Sequence, residues 1–308
     1  NIYFVFKNMD KIIVFPSSIK KIGIWNASFG TRELAPVLFV ILSKIYGSHI
    51  VSIVNGFKPD DDETLYIIIC PAGICGEHAT TKYPKYYITY QLEPTTSLVR
   101  DWYRGFISKA LYNWDYCEKN VQFLQSNYNI KSQYVPIGYQ ELISAPDIVN
   151  GLYSYSDNGK DIDVLFLGYE EAYERRKRIK AELYNKGLRI LFISYLDING
   201  MQQMIRRAKI CINIHIIDNM PCLETVRLNI LLSNQACIVT EDIDDDQLNI
   251  YRDHLIVSSY DKLADTCVSV LKDPILRKSK AMAGYQWYSN NRKWTDIVNF
   301  NHLLPNIS

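Results

Sequence analysis

KICINIHIIDNMPCLETVRLNILLSNQACIVTE, residues 209–241, is the stretch that decides the fold. Residues 209–214 form a short Ile-rich run, the pattern of a strand covered on both faces. The loop from His215 to Met220 collects polar groups. Pro221 suits the first turn of a helix, where its missing N–H costs nothing. Leu223, Val226 and Ile230 recur at i, i+3 and i+7 as a core stripe. Asn234 reads as a left-handed stop, and residues 236–240 as the next buried strand. Units of this kind place ligands beyond the carboxyl ends of parallel strands. His215, Asn219, Glu224 and Arg227 cluster at that end, with Glu224 and Arg227 three apart on one helical face.

The same alternation continues outward. Strands are expected at 163–167, 189–193, 209–214, 236–240 and 255–257, with helices between them, which implies a parallel sheet covered on both faces. Upstream, 1–16 reads as two short strands about a turn. Further strands are expected at 21–25, 50–54, 65–69 and 86–92, and helices at 31–46 and 96–112. The small-residue loop holding Ser28 and Gly30 can approach an anion or a sugar closely, as can any tight α/β turn. Pro94 stops the strand at 86–92 and leaves Glu93 at its carboxyl end. The fold class is therefore α/β, with two Rossmann-like parallel-sheet domains facing a cleft. We place the first domain at 1–140, a Pro/Gly/Ser/Asn-bearing linker at 141–160 and the second domain at 161–285. A tail occupies 286–308.

Particular residues resemble those of GT-B glycosyltransferases of the "glycosyl transferases group 1" style. Asn213-Ile214-His215, Glu224-x-x-Arg227 and Val239-Thr240-Glu241 are similar to a pattern of that family, whose helix Glu binds the ribose of a sugar nucleotide. Leu92-Glu93 and the stretch Trp114 to Asn120 are similar to two more of its segments, with Cys117 standing where the family has Ser. Gly168 followed by Arg175-Arg176 resembles its F-x-G then R-R. One departure is clear: the Glu-x7-Glu pair of many retaining members is missing, because Ile216 stands at the first position. The resemblance implies a nucleotide-diphosphate sugar, of UDP or GDP, on the second domain, an acceptor on the first, and a tail that crosses back.

Composition bounds the rest. The chain of 308 residues has 34 Lys plus Arg against 33 Asp plus Glu. No global field argues for nucleic acid, so no nucleic-acid partner is expected. No apolar run approaches the roughly 18 residues needed for a transmembrane segment. Seven cysteines, an odd number, read as buried reduced thiols, and the expected location is cytoplasmic. Cys70 and Cys75 have no matching second pair for zinc. The chain opens on Asn1 rather than Met, compatible with a place in a longer multidomain chain.

The chemistry expected is transfer of a sugar to a hydroxyl of a glycan or other acceptor. A diphosphate leaving group needs fixed positive charge, and we assign Arg176, Lys209 and Arg227 to it, while Gly168 lets the backbone turn sharply at the strand end beside it. Glu224 takes ribose hydroxyls, and Asn213 and His215 complete the donor set. An inverting reaction needs a general base from the first domain; Glu93 is placed best, with Asp115 and His78 in reserve. Asp115 also suits a helix cap. No metal and no cofactor are expected. Two rivals stand beside this reading. One is a metal-dependent Asp-x-Asp transferase using Asp242, Asp244 or Asp246, and the other a non-catalytic carbohydrate- or partner-binding module.

Overall fold

The computed structural model describes residues 15–73, 83–94, 101–153, 155–171, 173–244, 246–304 and 307. The strands expected within 1–14, His78 and Cys75 lie outside them.

The first sheet holds β1 (Lys21–Asn26), β2 (Val51–Ile53), β3 (Thr64–Ile69), β4 (Tyr86–Gln91), β5 (Tyr112–Asp115) and β6 (Gln133–Tyr134). Their order is β2-β1-β3-β4-β5-β6, and every pairing is parallel. Its apolar residues alternate between two covered faces, as a parallel sheet requires. Ile22, Ile24, Ile67, Ile69 and Ile88 share one core cluster with Leu34, Val37, Leu38 and Ile41 of α1 (Leu34–Tyr46). Tyr66, Ile68 and Tyr87 meet Phe106 of α2 (Asp101–Lys109) in another. The helix expected to run to Tyr112 ends at Lys109, because Tyr112–Asp115 turns back into the sheet beside β4. After β5 comes α3 (Glu118–Tyr128).

Residues 141–160 include α4 (Pro146–Val149). The Asn234 side chain accepts from Ala145 N (2.8 Å) and donates to Ile143 O (3.0 Å), fastening this segment to the second domain. That sheet holds β7 (Ile162–Leu167), β8 (Ile190–Ile193), β9 (Ala208–Asn213), β10 (Ile238–Glu241) and β11 (Ile256–Ser258). The order is β11-β10-β9-β7-β8, again all parallel. Between the strands run α5 (Glu174–Asn185), α6 (Ile198–Arg207), α7 (Thr225–Ser233), α8 (Asp246–Tyr251) and α9 (Leu263–Leu271). Leu165 and Cys211 share a core cluster with Leu228, Leu231 and Leu232 of α7. Val164, Phe166, Ile210 and Ile212 share the other with Ile179, Leu183, Leu263 and Cys267.

Two local expectations are corrected here. Pro221 lies in a loop, and the helix starts at Thr225 with Glu224 as its N-cap. The left-handed residue after α7 is Gln235 (φ 51°), whereas Asn234 keeps φ at −119°. The chain ends in α10 (Pro274–Asn291), α11 (Trp294–Ile297) and α12 (Phe300–Leu303). Between α10 and α11 the chain reaches the first domain: Tyr139 N donates to Arg292 O (2.7 Å) and Trp294 N to Tyr139 O (3.0 Å). The buried Trp294 ring lies near Tyr90 and Phe300.

Candidate functional site

In the second sheet the chain leaves β7 for β8 on one side and then places β9 on the other. The crevice at the carboxyl ends of β7 and β9 is where such a reversal of order admits a ligand. Gly168 follows β7, and His215 follows β9. A Cβ on Gly168 would lie 2.9 Å from the Phe166 ring and 3.2 Å from Arg227 Nη2. Gly168 is thus required for space, since an Arg227 guanidinium packs over its backbone; the sharp turn expected of it is not the reason, for its φ is not left-handed.

Asn213, His215, Glu224 and Arg227 do come together, as one network. Glu224 receives Asn213 Nδ2 at 3.0 Å and lies 2.8 and 3.0 Å, by its two oxygens, from His215 Nδ1. Arg227 donates Nε to Leu167 O (2.8 Å) and Nη1 to Asn213 Oδ1. Burial works to raise the Glu224 pKa, but His215, Arg227 and Asn213 outweigh it and hold the carboxyl at about 2. Burial works to lower the His215 pKa, and the Glu224 carboxylate outweighs it, so the imidazole is pushed up toward the charged form. His215 is only 2% exposed, and among the described residues its Nε2 has no hydrogen-bond partner. His215 also lines a cavity of about 990 Å³, together with Arg175, Asn219, Met220, Glu241 and Lys119 of the first domain.

The basic run after Gly168 divides differently from expectation. Arg176 is buried beneath the site, with Nη1 on Tyr169 O (2.6 Å) and Nη2 on Ile214 O (3.3 Å). Burial, aided by Arg227, pulls its pKa down to about 9. Its neighbour Arg175 lines the cavity, paired with Glu241 and Asp218 and lying 3.8 Å over the Tyr260 ring. Arg175 and Glu241 stand in segments that resemble the family's but were not assigned to the site; Glu241 ends β10 just as Glu93 follows β4. Lys209 is corrected outright. It sits at the amino end of β9 and pairs with Asp163 (2.8 Å). Four residues of strand, about 13 Å at the usual rise, separate it from Asn213, so it cannot reach a ligand at the opposite edge.

On the first domain, Glu93 lies where expected, beyond β4. Burial raises its pKa, Arg227 and Arg176 lower it, and Glu224 raises it, with a net upward shift. Its backbone oxygen is held by Gln91 Nε2 (2.7 Å) and Asn120 Nδ2 (3.1 Å). Asp115 is fully buried and receives Cys117 N and Asn120 Nδ2, each at 3.0 Å, so its place is to shape the turn into α3. Burial holds its carboxyl far above the usual range, and no exposed surface offers it to an acceptor. Ser28 Oγ accepts from Gly30 N (3.3 Å) and closes the turn after β1. Sequence reading passed over Glu33 just beyond, a 3% exposed carboxyl that burial pushes up to about 7.

Direct bonds hold the two domains across the cleft. Cys222 Sγ donates to Asn120 Oδ1 (3.1 Å), Gln247 Nε2 to Tyr116 O (2.7 Å), and Lys119 Nζ to Asp244 O. Asp242 accepts from Arg252 Nη2 and Ile243 N, both at 3.0 Å.

No protein-family model and no curated protein sequence matches the chain. Solved structures do match. T4 phage BGT in complex with UDP and Mn²⁺ superposes at a TM-score of 0.62 and 13% identity, over 92% of this chain and 100% of that one. An alpha-glucosyltransferase in complex with UDP and a 13-mer DNA containing a HMU base superposes at 0.59 and 10% identity, over 92% and 99%. TarM superposes at 0.52 and 8% identity, over 87% and 57%. At these identities the likeness is one of fold, and the fold is GT-B: two all-parallel sheets with helices.

Proposed function

We propose that this chain is a glycosyltransferase that takes a sugar from a nucleotide-diphosphate donor, a UDP-sugar first of all, and passes it to an acceptor hydroxyl. Two of the fold neighbours are in complex with UDP, which favours uridine over guanosine. The observation that carries the reading is the bonded network of Asn213, His215, Glu224 and Arg227 at the carboxyl ends of β7 and β9, beside the cavity that His215 lines.

Departure of the nucleoside diphosphate concentrates negative charge on its phosphate oxygens, and preorganised donors stabilise that charge best. His215 Nε2 is such a donor, held charged by Glu224 behind it. Arg227 Nη2 over Gly168 is a second. The amino end of α7 adds a favourable dipole. With both oxygens turned to His215, Glu224 serves first to keep that imidazole charged and oriented, rather than to take ribose hydroxyls alone. Glu93, raised by burial yet steered toward ionisation by two arginines, takes the proton of the attacking hydroxyl.

Glu93→Gln keeps the shape but cannot accept a proton, so transfer from a UDP-sugar should fall about 10²–10⁴-fold. UDP affinity, measured by calorimetry, should hold. Transfer at the wild-type rate would remove Glu93 from catalysis and turn attention to Glu33. Fixed cations in the site also lead us to expect that activity persists in excess EDTA. Complete loss restored by Mn²⁺ would instead favour the Asp-x-Asp rival, against which Asp242 is already engaged by Arg252. UDP binding with no transfer or hydrolysis would favour a binding module.

A further inference from the structure

Three loops at the cleft bring aromatic rings together from both domains. Phe29 follows β1, Tyr169 follows β7 and Tyr195 follows β8. Phe29 and Tyr195 lie 5.1 Å apart by ring centroid, and Tyr195 and Tyr169 6.2 Å apart. Despite these contacts Phe29 is 50% exposed, Tyr195 67% and Tyr169 38%. The Arg32 guanidinium lies 3.7 Å from the Phe29 ring centroid and supports it. Tyr195 has φ at +64°, a left-handed conformation that a bulky side chain adopts only at a cost. Such strain persists where surrounding structure or function holds it.

The charges around this strip select its ligand. Glu171 accepts from the Tyr169 hydroxyl at 3.3 Å. Asp197, two residues beyond Tyr195, acts on Arg32. Both carboxylates are exposed. The neighbouring cavity is mixed in charge, with Asp218 paired to Arg175, Asp242 to Arg252, and Lys119 and Arg178 lining it beside Asp244, so the distinction falls to Glu171 and Asp197 at the strip itself. A polyanion needs cations to displace its counterions, and exposed carboxylates repel it. A neutral sugar ring has no such difficulty: its C–H face packs on aromatic faces, and its hydroxyls can donate to carboxylates.

We infer that the strip Phe29–Tyr195–Tyr169 binds the acceptor, and that the acceptor is a neutral glycan rather than a nucleic acid. The inference rests on the proposed transferase reading, in that it assigns an acceptor to it. The test uses the whole chain, a panel of neutral oligosaccharides and a 13-mer DNA duplex. At least one neutral oligosaccharide should bind and accept sugar, and the duplex should not. Phe29→Ala and Tyr195→Gly should each raise the acceptor KM about tenfold or more. UDP affinity and acceptor-free hydrolysis of the UDP-sugar should stay at wild-type values. Tyr195→Gly also relieves the left-handed strain, so its melting temperature should not fall; a purely structural tyrosine would behave oppositely. Binding of the duplex, lost in these variants, would overturn the inference in favour of a nucleic acid. Absence of any bound saccharide, or an unchanged KM in both variants, would overturn it as well. Absence of UDP binding would instead sink the transferase reading itself.

Discussion

Glu224 and His215 hold each other charged inside the protein, and the consequence is a definite dependence on pH. The histidine pKa is raised above its ordinary 6.5. Its contribution to stability is therefore complete below about 6.5 and lost as pH rises through the raised value. The glutamate is depressed from 4.5 to about 2. Its contribution is present above 4.5 and lost as pH falls through about 2. Between those limits the charged imidazole is favoured, with a proton on Nε2 as well as on the Nδ1 that faces Glu224. A hydrogen bond to a charged group is worth about 1.5–3 kcal/mol, on the order of 10–100-fold in affinity. His215→Gln should weaken UDP binding by that factor at pH 6, and the deficit should shrink at pH 9. Glu224→Gln should move the wild-type pH step downward, because the imidazole loses its counter-charge. Calorimetry across pH checks both, and equal UDP affinity of His215→Gln and wild type at pH 6 would end the assignment.

At the scale of elements, legibility followed burial chemistry. The strands β7, β9 and β10 are rich in Ile, Val and Leu because helices cover both their faces, and each was readable within two residues of its bounds. The strand β5 was not. Its sequence YNWD carries a buried Asp, held by Cys117 N and Asn120 in the turn that follows, and a buried Asn whose partners lie elsewhere in the fold. Thr89 Oγ1 bonds Asn113 at 2.6 Å, and Asn113 Nδ2 reaches Ile107 O at 3.0 Å. No local pattern announces such partners. The start of α7 was hidden differently: Pro221 looked like the first turn, but the chain needs residues 215–224 to bring Glu224 back onto His215. Lys209 was assigned by charge alone, although strand direction already placed it at the wrong edge. For Arg175 and Arg176, helix phase decides which one faces the cavity, and a run of four basic residues does not reveal phase. Phe29, Tyr169 and Tyr195 come from three loops far apart in the chain, so only the fold shows them as one strip.

For the whole molecule, the C-terminal helices add a second tie between the domains to the bonds across the cleft. The long helix α10 packs on α7 of the second domain, with Tyr288 Oη on Asn229 Oδ1 at 2.9 Å. The residues just beyond then join the first domain through Tyr139 and fill its core with Trp294 and Phe300. Gly138 makes this joint possible: a Cβ there would lie 2.6 Å from Trp294 Cα and 2.7 Å from Arg292 O. Both are backbone atoms, so the returning chain would have to move. Overpacking of this sort costs about 1–3 kcal/mol, and more where backbone is displaced. Trp294→Ala should cost about 3–5 kcal/mol by emptying a buried aromatic site. Domains coupled this tightly should unfold together in denaturant, as a single transition of the wild-type chain. Gly138→Ala loosens the joint without removing any side chain from either core. Its transition should split, with the first domain unfolding at lower denaturant than the second. Trp287 stacks on His254 in the second domain, so the probe is near-UV circular dichroism in a Trp287→Phe background, where the buried Trp114 and Trp294 of the first-domain core contribute, while far-UV signal follows both sheets. Coincident curves with an unshifted midpoint in Gly138→Ala would mean that the tail adds no coupling, and that the interdomain bonds from Cys222 and Gln247 suffice to hold the cleft.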